Sequence, residues 1–208
     1  MSPTVLDFAC NQQGHAMIMS AKLCAGYAPV SKQSGIWPAF WALGQSIRQG
    51  IPWPGCGEID IYEAAGGQDY TLATLHYSDG SNATHFQLGG FGVAQTAVNF
   101  NRFNNQNEMP RIGASEFHTF AITIDRRASS WQQESMSWSV DGRMFWRVTG
   151  SQFTYDQWAT LAHKPFFPIL NVAVGTMIPV GDQQPNQYTG TGLPVGMQVE
   201  YVAVYYSD

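Results

Sequence analysis

From His15 onward, apolar residues recur at every second position in short runs separated by Gly, Pro, Asn and Asp, the period of half-buried strands. In residues 117–125, Phe120, Ile122 and Ile124 fall on one face and Thr119, Thr123 and Asp125 on the other. Residues 136–140 and 143–148 flank Asp141-Gly142, a two-residue loop whose glycine accepts positive φ, and this predicts a hairpin. Residues 71–75, 168–175 and 197–206 read as further strands, and the Gly-rich or polar residues 64–67, 78–90 and 99–106 as loops. No run keeps a 3.6-residue period for more than about two turns. Strands spaced roughly ten residues apart predict an all-β sandwich of two antiparallel sheets. No composition shift or repeat divides residues 1–208, so a single domain is expected, with 1–14 irregular.

Composition narrows the function. The 208 residues are 44% apolar, enough for a real core, and 13% aromatic with 21 Gly and 11 Pro, a mixture that favours strands and turns. Only 12% are charged and the formal net charge is −5, so there is no basic surface to neutralise phosphates and a nucleic-acid partner is excluded. No apolar run approaches the roughly 18 residues of a membrane span. Residues 1–13 lack the basic start, apolar middle and cleavage site of a secretory signal. Cys10, Cys24 and Cys56 fit no metal-binding spacing and read as buried thiols, with one Cys10–Cys24 bridge as the alternative. Asn82-Ala83-Thr84 is a glycosylation sequon.

Against this charge-poor background, Gly57-Glu58-Ile59-Asp60-Ile61-Tyr62-Glu63 places three acids within six residues. On a regular strand Glu58 and Asp60 share a face and Glu63 points away. One extra residue, Ile61 or Tyr62, in a β-bulge would return Glu63 to their side. The two glutamate Cα atoms would then stand about 13 Å apart, four strand rises, and side chains leaning together would bring the carboxyls to about 5 Å. A retaining glycosidase needs that separation for one carboxylate to attack the anomeric carbon and the other to protonate the leaving oxygen. Asp60 between them would raise proton affinity and help keep one glutamate protonated. The competing readings are a solvated edge strand with scattered acids and a calcium site. The second is a poor cage, lacking converging loop oxygens or a histidine at ligand spacing.

The neighbourhood adds aromatic and polar groups. Trp37 and Trp41 share a strand face with Ala39 and serve either the core or a sugar-binding surface, since flat indoles pack on the C–H faces of pyranose rings. Trp53 precedes the acidic strand, and His76 lies near the start of the loop expected after residues 71–75. Asn171 is the one amide on an otherwise apolar strand.

The segments Gly35-Ile36-Trp37-Pro38-Ala39-Phe40-Trp41-Ala42-Leu43-Gly44, Trp53-Pro54, Gly57-Glu58-Ile59-Asp60-Ile61-Tyr62-Glu63 and Thr74-Leu75-His76-Tyr77 together resemble glycoside hydrolase family 16, the laminarinase-like endo-β-1,3-glucanases. The likeness continues weakly through Val140-Asp141-Gly142 and residues 169–175, and so covers most of the chain from His15. It implies a concanavalin A-like jelly roll, with Glu58 as nucleophile, Asp60 as its assisting acid and Glu63 as general acid/base. Trp53, Trp37 and Trp41 are then expected to bind substrate, with Asn171 lining the cleft, and the resemblance places His76 beside the triad, where it would hydrogen-bond the nucleophile or a sugar hydroxyl. The length of the acidic motif matches the bulged branch, which includes laminarinases, agarases and carrageenases; lichenases have one residue fewer.

Family members carry a longer arm before the Trp37 strand, and only 36 residues precede Trp37 here. Missing N-terminal strands and an unpaired sheet edge are therefore expected. After Asn171 the sequence Ala173-Val174-Gly175-Thr176-Met177-Ile178-Pro179 lacks the Gly-Gly and tryptophan common in relatives, which predicts a different subsite wall. No cofactor or metal is expected; the structural calcium of some relatives would draw on the arm. The resemblance implies retaining endo-hydrolysis of β-1,3-glucan, laminarin-like or mixed-linkage β-1,3/1,4, by a monomer that is extracellular or attached to a cell wall. The alternatives are a non-catalytic, lectin-like carbohydrate-binding domain on the same scaffold and a cell-wall glucan transglycosylase.

Overall fold

The acidic strand lies at the centre of a five-stranded antiparallel sheet, one of two that face each other across the core. The structure, a computed structural model, describes residues 7–9, 13–25, 28–66, 72–78, 86–89, 117–175 and 184–207. Among these, the strands are β1 (Ala16–Ala25), β2 (Ile36–Gly44), β3 (Glu58–Glu63), β4 (Leu72–Tyr77), β5 (Phe86–Gly89), β6 (His118–Asp125), β7 (Ser135–Val140), β8 (Arg143–Thr149), β9 (Phe166–Val174) and β10 (Met197–Ser207). One sheet has the order β10-β1-β6-β7-β8 and the other β5-β4-β3-β2-β9.

Alternation along the strands builds the core as the pattern predicts. Met17 and Met19 of β1, Phe120, Ile122 and Ile124 of β6, and Met136, Trp138 and Val140 of β7 are buried against Phe40 and Ala42 of β2, Ile59 and Ile61 of β3 and Leu75 of β4. Asp141 at φ 49° and Gly142 at φ 77° form the expected two-residue turn between β7 and β8. A short helical segment, α1 (Tyr155–Trp158) and the turn that continues it, closes one side. Thr154 and Gln157 cap its start reciprocally, and Trp158 is fully buried.

Two local expectations are corrected. β4 continues through His76 and Tyr77, so His76 stands on a strand and not in a loop. Residues 86–89, read as loop, form β5, because Tyr77 and Phe86 stack at 5.6 Å and extend the pairing beyond the polar stretch. Phe8, within the segment expected to be irregular, makes one isolated bridge with Phe166 outside any strand and is buried in the core. Cys24 and Cys56 are buried free thiols among the described residues. Burial raises the proton affinity of Cys24 and Cys56 and leaves both inert. Cys10, the sequon at Asn82 and residues 99–106 lie outside the described residues.

β10 and β8 are the outer strands of one described sheet and β5 and β9 of the other, and Tyr201, Tyr205 and Tyr206 of β10 are exposed. The entry to β3 is fixed by a close backbone approach. Gly44 N–H donates to the Gly57 carbonyl at 2.9 Å, and a Cβ on Gly44 would fall 1.8 Å from the Cys56 carbonyl oxygen. Only glycine permits that contact.

Candidate active site

The register of β3 against its neighbours contains the bulge. On the β2 side Phe40 pairs with Tyr62 and Trp41 with Asp60, leaving Ile61 as the additional residue. On the β4 side Asp60 pairs with Thr74 and Glu63 with Leu72, three steps against two. Ile61 and Tyr62 both turn into the core, each 1% exposed, and Tyr62 packs on Phe120 of the opposite sheet. Glu58, Asp60 and Glu63 consequently all face one cavity of about 450 Å³, within the size range of ligand sites.

Trp37, Trp41 and Asn171 line the same cavity, and Ala39 and Ala173 provide its small-residue floor. The register explains the grouping: Ala39 pairs with Asn171 and Trp37 with Ala173, so two indoles four residues apart flank a low surface. His76, directly opposite Glu58 in the β3–β4 pair, completes the row from the other side. All eight residues singled out in the sequence thus converge. Six line the cavity, and Trp53 and His76 contact the acids.

Each glutamate is held by an indole N–H. Trp53 Nε1 donates to Glu58 Oε2 at 3.1 Å, and Trp37 Nε1 donates to Glu63 Oε1 at 3.1 Å. Trp41 Nε1 donates to Asn171 Oδ1 at 2.7 Å, coupling β2 to β9. The Trp53 ring lies against His76, centroids 5.7 Å apart. Two of the aromatics that the resemblance assigned to sugar binding therefore also fix the carboxylates.

Burial sets the protonation states. Glu58 is pushed upward from its ordinary value by desolvation, opposed by His76 and by the Trp53 hydrogen bond. Asp60 is pushed well above the carboxylate range by burial and by the neighbouring Glu58 charge. Glu63 is also pushed well above it, by burial first and then by Asp60 and Glu58, with the Trp37 hydrogen bond pulling the other way. Burial lowers His76, which stays a neutral imidazole at neutral pH; its Nε2 stands 3.3 Å from Asp60 Oδ2 and 3.7 Å from Glu58 Oε1. Glu58 is displaced less than Asp60 and Glu63 and is thus the first of the three to ionise, the order that acid-assisted nucleophilic displacement requires.

Trp138 contributes from the other sheet and was not singled out as functional. Its Nε1 donates to the Asp60 carbonyl at 2.8 Å, where the bulge interrupts pairing. The sequence marks Trp138 as a core position through alternation with Met136 and Val140, but nothing in the pattern marks the hydrogen bond.

Comparison with known proteins agrees with this geometry. The family model described as "XgeA-like, catalytic GH16 domain" matches residues 19–119. The chain is 29% identical over 180 residues to glucan endo-1,3-beta-glucosidase A1 of Niallia circulans, covering 82% of this chain and 22% of that protein. It is 30% identical over 177 residues to a beta-glucanase of Rhodothermus marinus, covering 82% of this chain and 52% of that protein. The chain thus spans about half or less of the length of these curated relatives. A solved structure of endo-1,3-beta-glucanase from Streptomyces sioyaensis superposes with a TM-score of 0.74 at 30% identity, covering 98% of this chain and 68% of that one. The bulged acidic strand, the sheet orders around it and this likeness at the level of sequence and fold make the chain a member of glycoside hydrolase family 16.

Proposed function

We propose that this chain carries the catalytic domain of a retaining endo-glycosidase that hydrolyses β-1,3 bonds of glucan, acting as a monomer on an extracellular or cell-wall polysaccharide. The observation that carries the reading is the placement of Glu58 and Glu63 in one cavity, each tied to its own indole donor.

Glu58 is the nucleophile. Its carboxylate attacks the anomeric carbon while Glu63, protonated, gives its proton to the departing glycosidic oxygen, forming a glycosyl ester on Glu58. Glu63, now ionised, takes a proton from water, and the resulting attack releases the sugar with its original configuration. Asp60 remains protonated beside Glu58, so a second negative charge does not repel the nucleophile's own. Trp37 and Trp41 offer apolar faces to pyranose rings above the Ala39 floor, and Asn171 offers an amide to their hydroxyls.

Reducing-end release from laminarin tests the reading, comparing the wild type with Glu58→Gln and Glu63→Gln. Turnover in the wild type, abolished by the first and strongly reduced by the second, is the expected result. Laminarin binding without turnover in the wild type would replace the reading with a carbohydrate-binding domain. Products longer than the substrate would replace hydrolysis with transglycosylation.

A further inference from the structure

One atom of the acidic row has no use in that mechanism. Asp60 Oδ2 is buried and has no hydrogen-bond partner; His76 Nε2 lies 3.3 Å from it. His76 Nε2 is also 3.7 Å from Glu58 Oε1, and one donor atom from each of the three residues lies within 4.8 Å of the others. No histidine stands at ligand spacing from these acids along the chain. The β3–β4 register supplies one across the strands.

The spacings are those of a small first-row ion. Tetrahedral bonds of about 2.0–2.2 Å to nitrogen and oxygen set neighbouring donors roughly 3.3–3.6 Å apart. The two distances from His76 lie at or near that interval, and the two carboxylates, which offer oxygens within 4.8 Å of each other, would draw together on an ion to close the third edge. A nitrogen among the donors disfavours calcium and magnesium, which take oxygen ligands, and suits zinc. Trp53 already occupies Glu58 Oε2, leaving Oε1 for an ion, as outer-shell donors do for ligating carboxylates. Asp60 would release its proton to solvent as the ion binds, and the two carboxylates would then balance a divalent charge.

We propose that Glu58, Asp60 and His76 form a zinc(II) site within the cleft, with a fourth position open to water, and that zinc bound there stops turnover by occupying the lone pair with which Glu58 attacks. Only the effect on turnover rests on the hydrolase reading; metal binding does not.

The test titrates the metal-free full chain with zinc chloride by calorimetry and with cobalt(II) chloride by visible absorption. The expected result is one equivalent bound, with the intense visible bands of four-coordinate cobalt. Asp60→Asn and His76→Ala should each weaken binding by at least about tenfold, since loss of an outer-shell partner alone has that effect. His163→Gln and His118→Asn, which alter two histidine–carboxylate pairs elsewhere in the described residues, should leave binding in place. Circular dichroism checks that every variant is folded, and His76→Gln serves if His76→Ala is not. In assays, zinc should raise the apparent KM for laminarin with kcat unchanged, reversibly on chelation. Absence of saturable binding, or binding indifferent to Asp60→Asn and to the His76 variants, overturns the site. Saturable binding with inhibition that substrate cannot relieve overturns the blocking role. If laminarin is not hydrolysed at all, the metal titrations still decide the site, and the failure belongs to the hydrolase reading alone.

Discussion

Trp138 Nε1, on a strand of one sheet, donates across the core to the carbonyl of Asp60, on a strand of the other, over 2.8 Å. That carbonyl borders the bulge. Trp138→Phe keeps an aromatic ring against Trp146, now 4.1 Å away by centroids, and deletes the donor. Leaving a buried carbonyl unsatisfied costs about 1–3 kcal/mol. Urea denaturation should show a loss of that size, and an unchanged midpoint would show that the contact contributes nothing.

The two glutamates should separate under azide rescue. With an aryl β-1,3-gluco-oligosaccharide, Glu58→Ala should regain turnover in azide and give a glycosyl azide of inverted configuration, since the anion replaces the nucleophile. Glu63→Ala should lose about 10²–10⁴ in rate on glucan, the usual contribution of a general acid/base, and give an azide of retained configuration. Proton NMR of the products reads both outcomes. Identical anomers from the two variants would rule out the assigned roles.

Turnover needs Glu58 ionised and Glu63 protonated, and burial lifts both above the ordinary carboxylate value. The acid limb of kcat/KM should therefore lie above the pH at which an exposed glutamate titrates, and the alkaline limb higher still. Both indole bonds favour the ionised forms. Trp53→Phe should raise the acid limb and narrow the profile, whereas Trp37→Phe should raise the alkaline limb and broaden it. Shifts in the opposite sense would contradict the hydrogen bonds at 3.1 Å.

Stability should have a separate acid dependence, centred on buried Glu134. Its carboxylate accepts from Arg126 Nε at 3.0 Å, Trp158 Nε1 at 2.7 Å and His163 Nε2 at 2.6 Å. Burial pushes Glu134 upward, but these donors outweigh it and hold the group below its ordinary value. A carboxylate depressed in the folded state adds stability that is complete above its unfolded pKa and disappears as pH falls through the folded one. Glu134→Gln should cost about 3–5 kcal/mol at pH 7, the range for removing one partner of a buried ion pair. It should also flatten the decline of melting temperature on acidification.

Much of this architecture was readable because alternation and turn chemistry act locally. The faces of β6, the Asp141-Gly142 turn and the acidic motif all follow from the identities of near neighbours. The bulge was legible for a related reason: five positions between Glu58 and Glu63 conflict with a period of two, and a single inserted residue resolves the conflict. What escaped depends on partners distant in the chain. β5 forms because Tyr77 finds Phe86, and Phe8 is drawn to Phe166. The Trp138 bond spans 78 residues, and the distance of His76 from Asp60 is fixed only once β4 aligns with β3. The indole donors to Glu58 and Glu63 were hidden as well, because aromatic composition indicates surface for stacking and is silent on where an N–H points.

The side-chain doublet beneath the acids has a mechanical consequence. An ordinary strand of this length would sink one residue between Asp60 and the last acid, but here Ile61 and Tyr62 are both embedded, and Tyr62 rests on Phe120. The segment is nailed down twice within a single stride, immediately before Glu63. Excising either residue would restore plain alternation and still leave the three acids facing outward, at the cost of one nail. The inserted residue thus serves less to choose which way Glu63 looks than to stiffen the ground it stands on, and looseness of that carboxylate, not its disappearance from the furrow, is the defect a shortened strand should show.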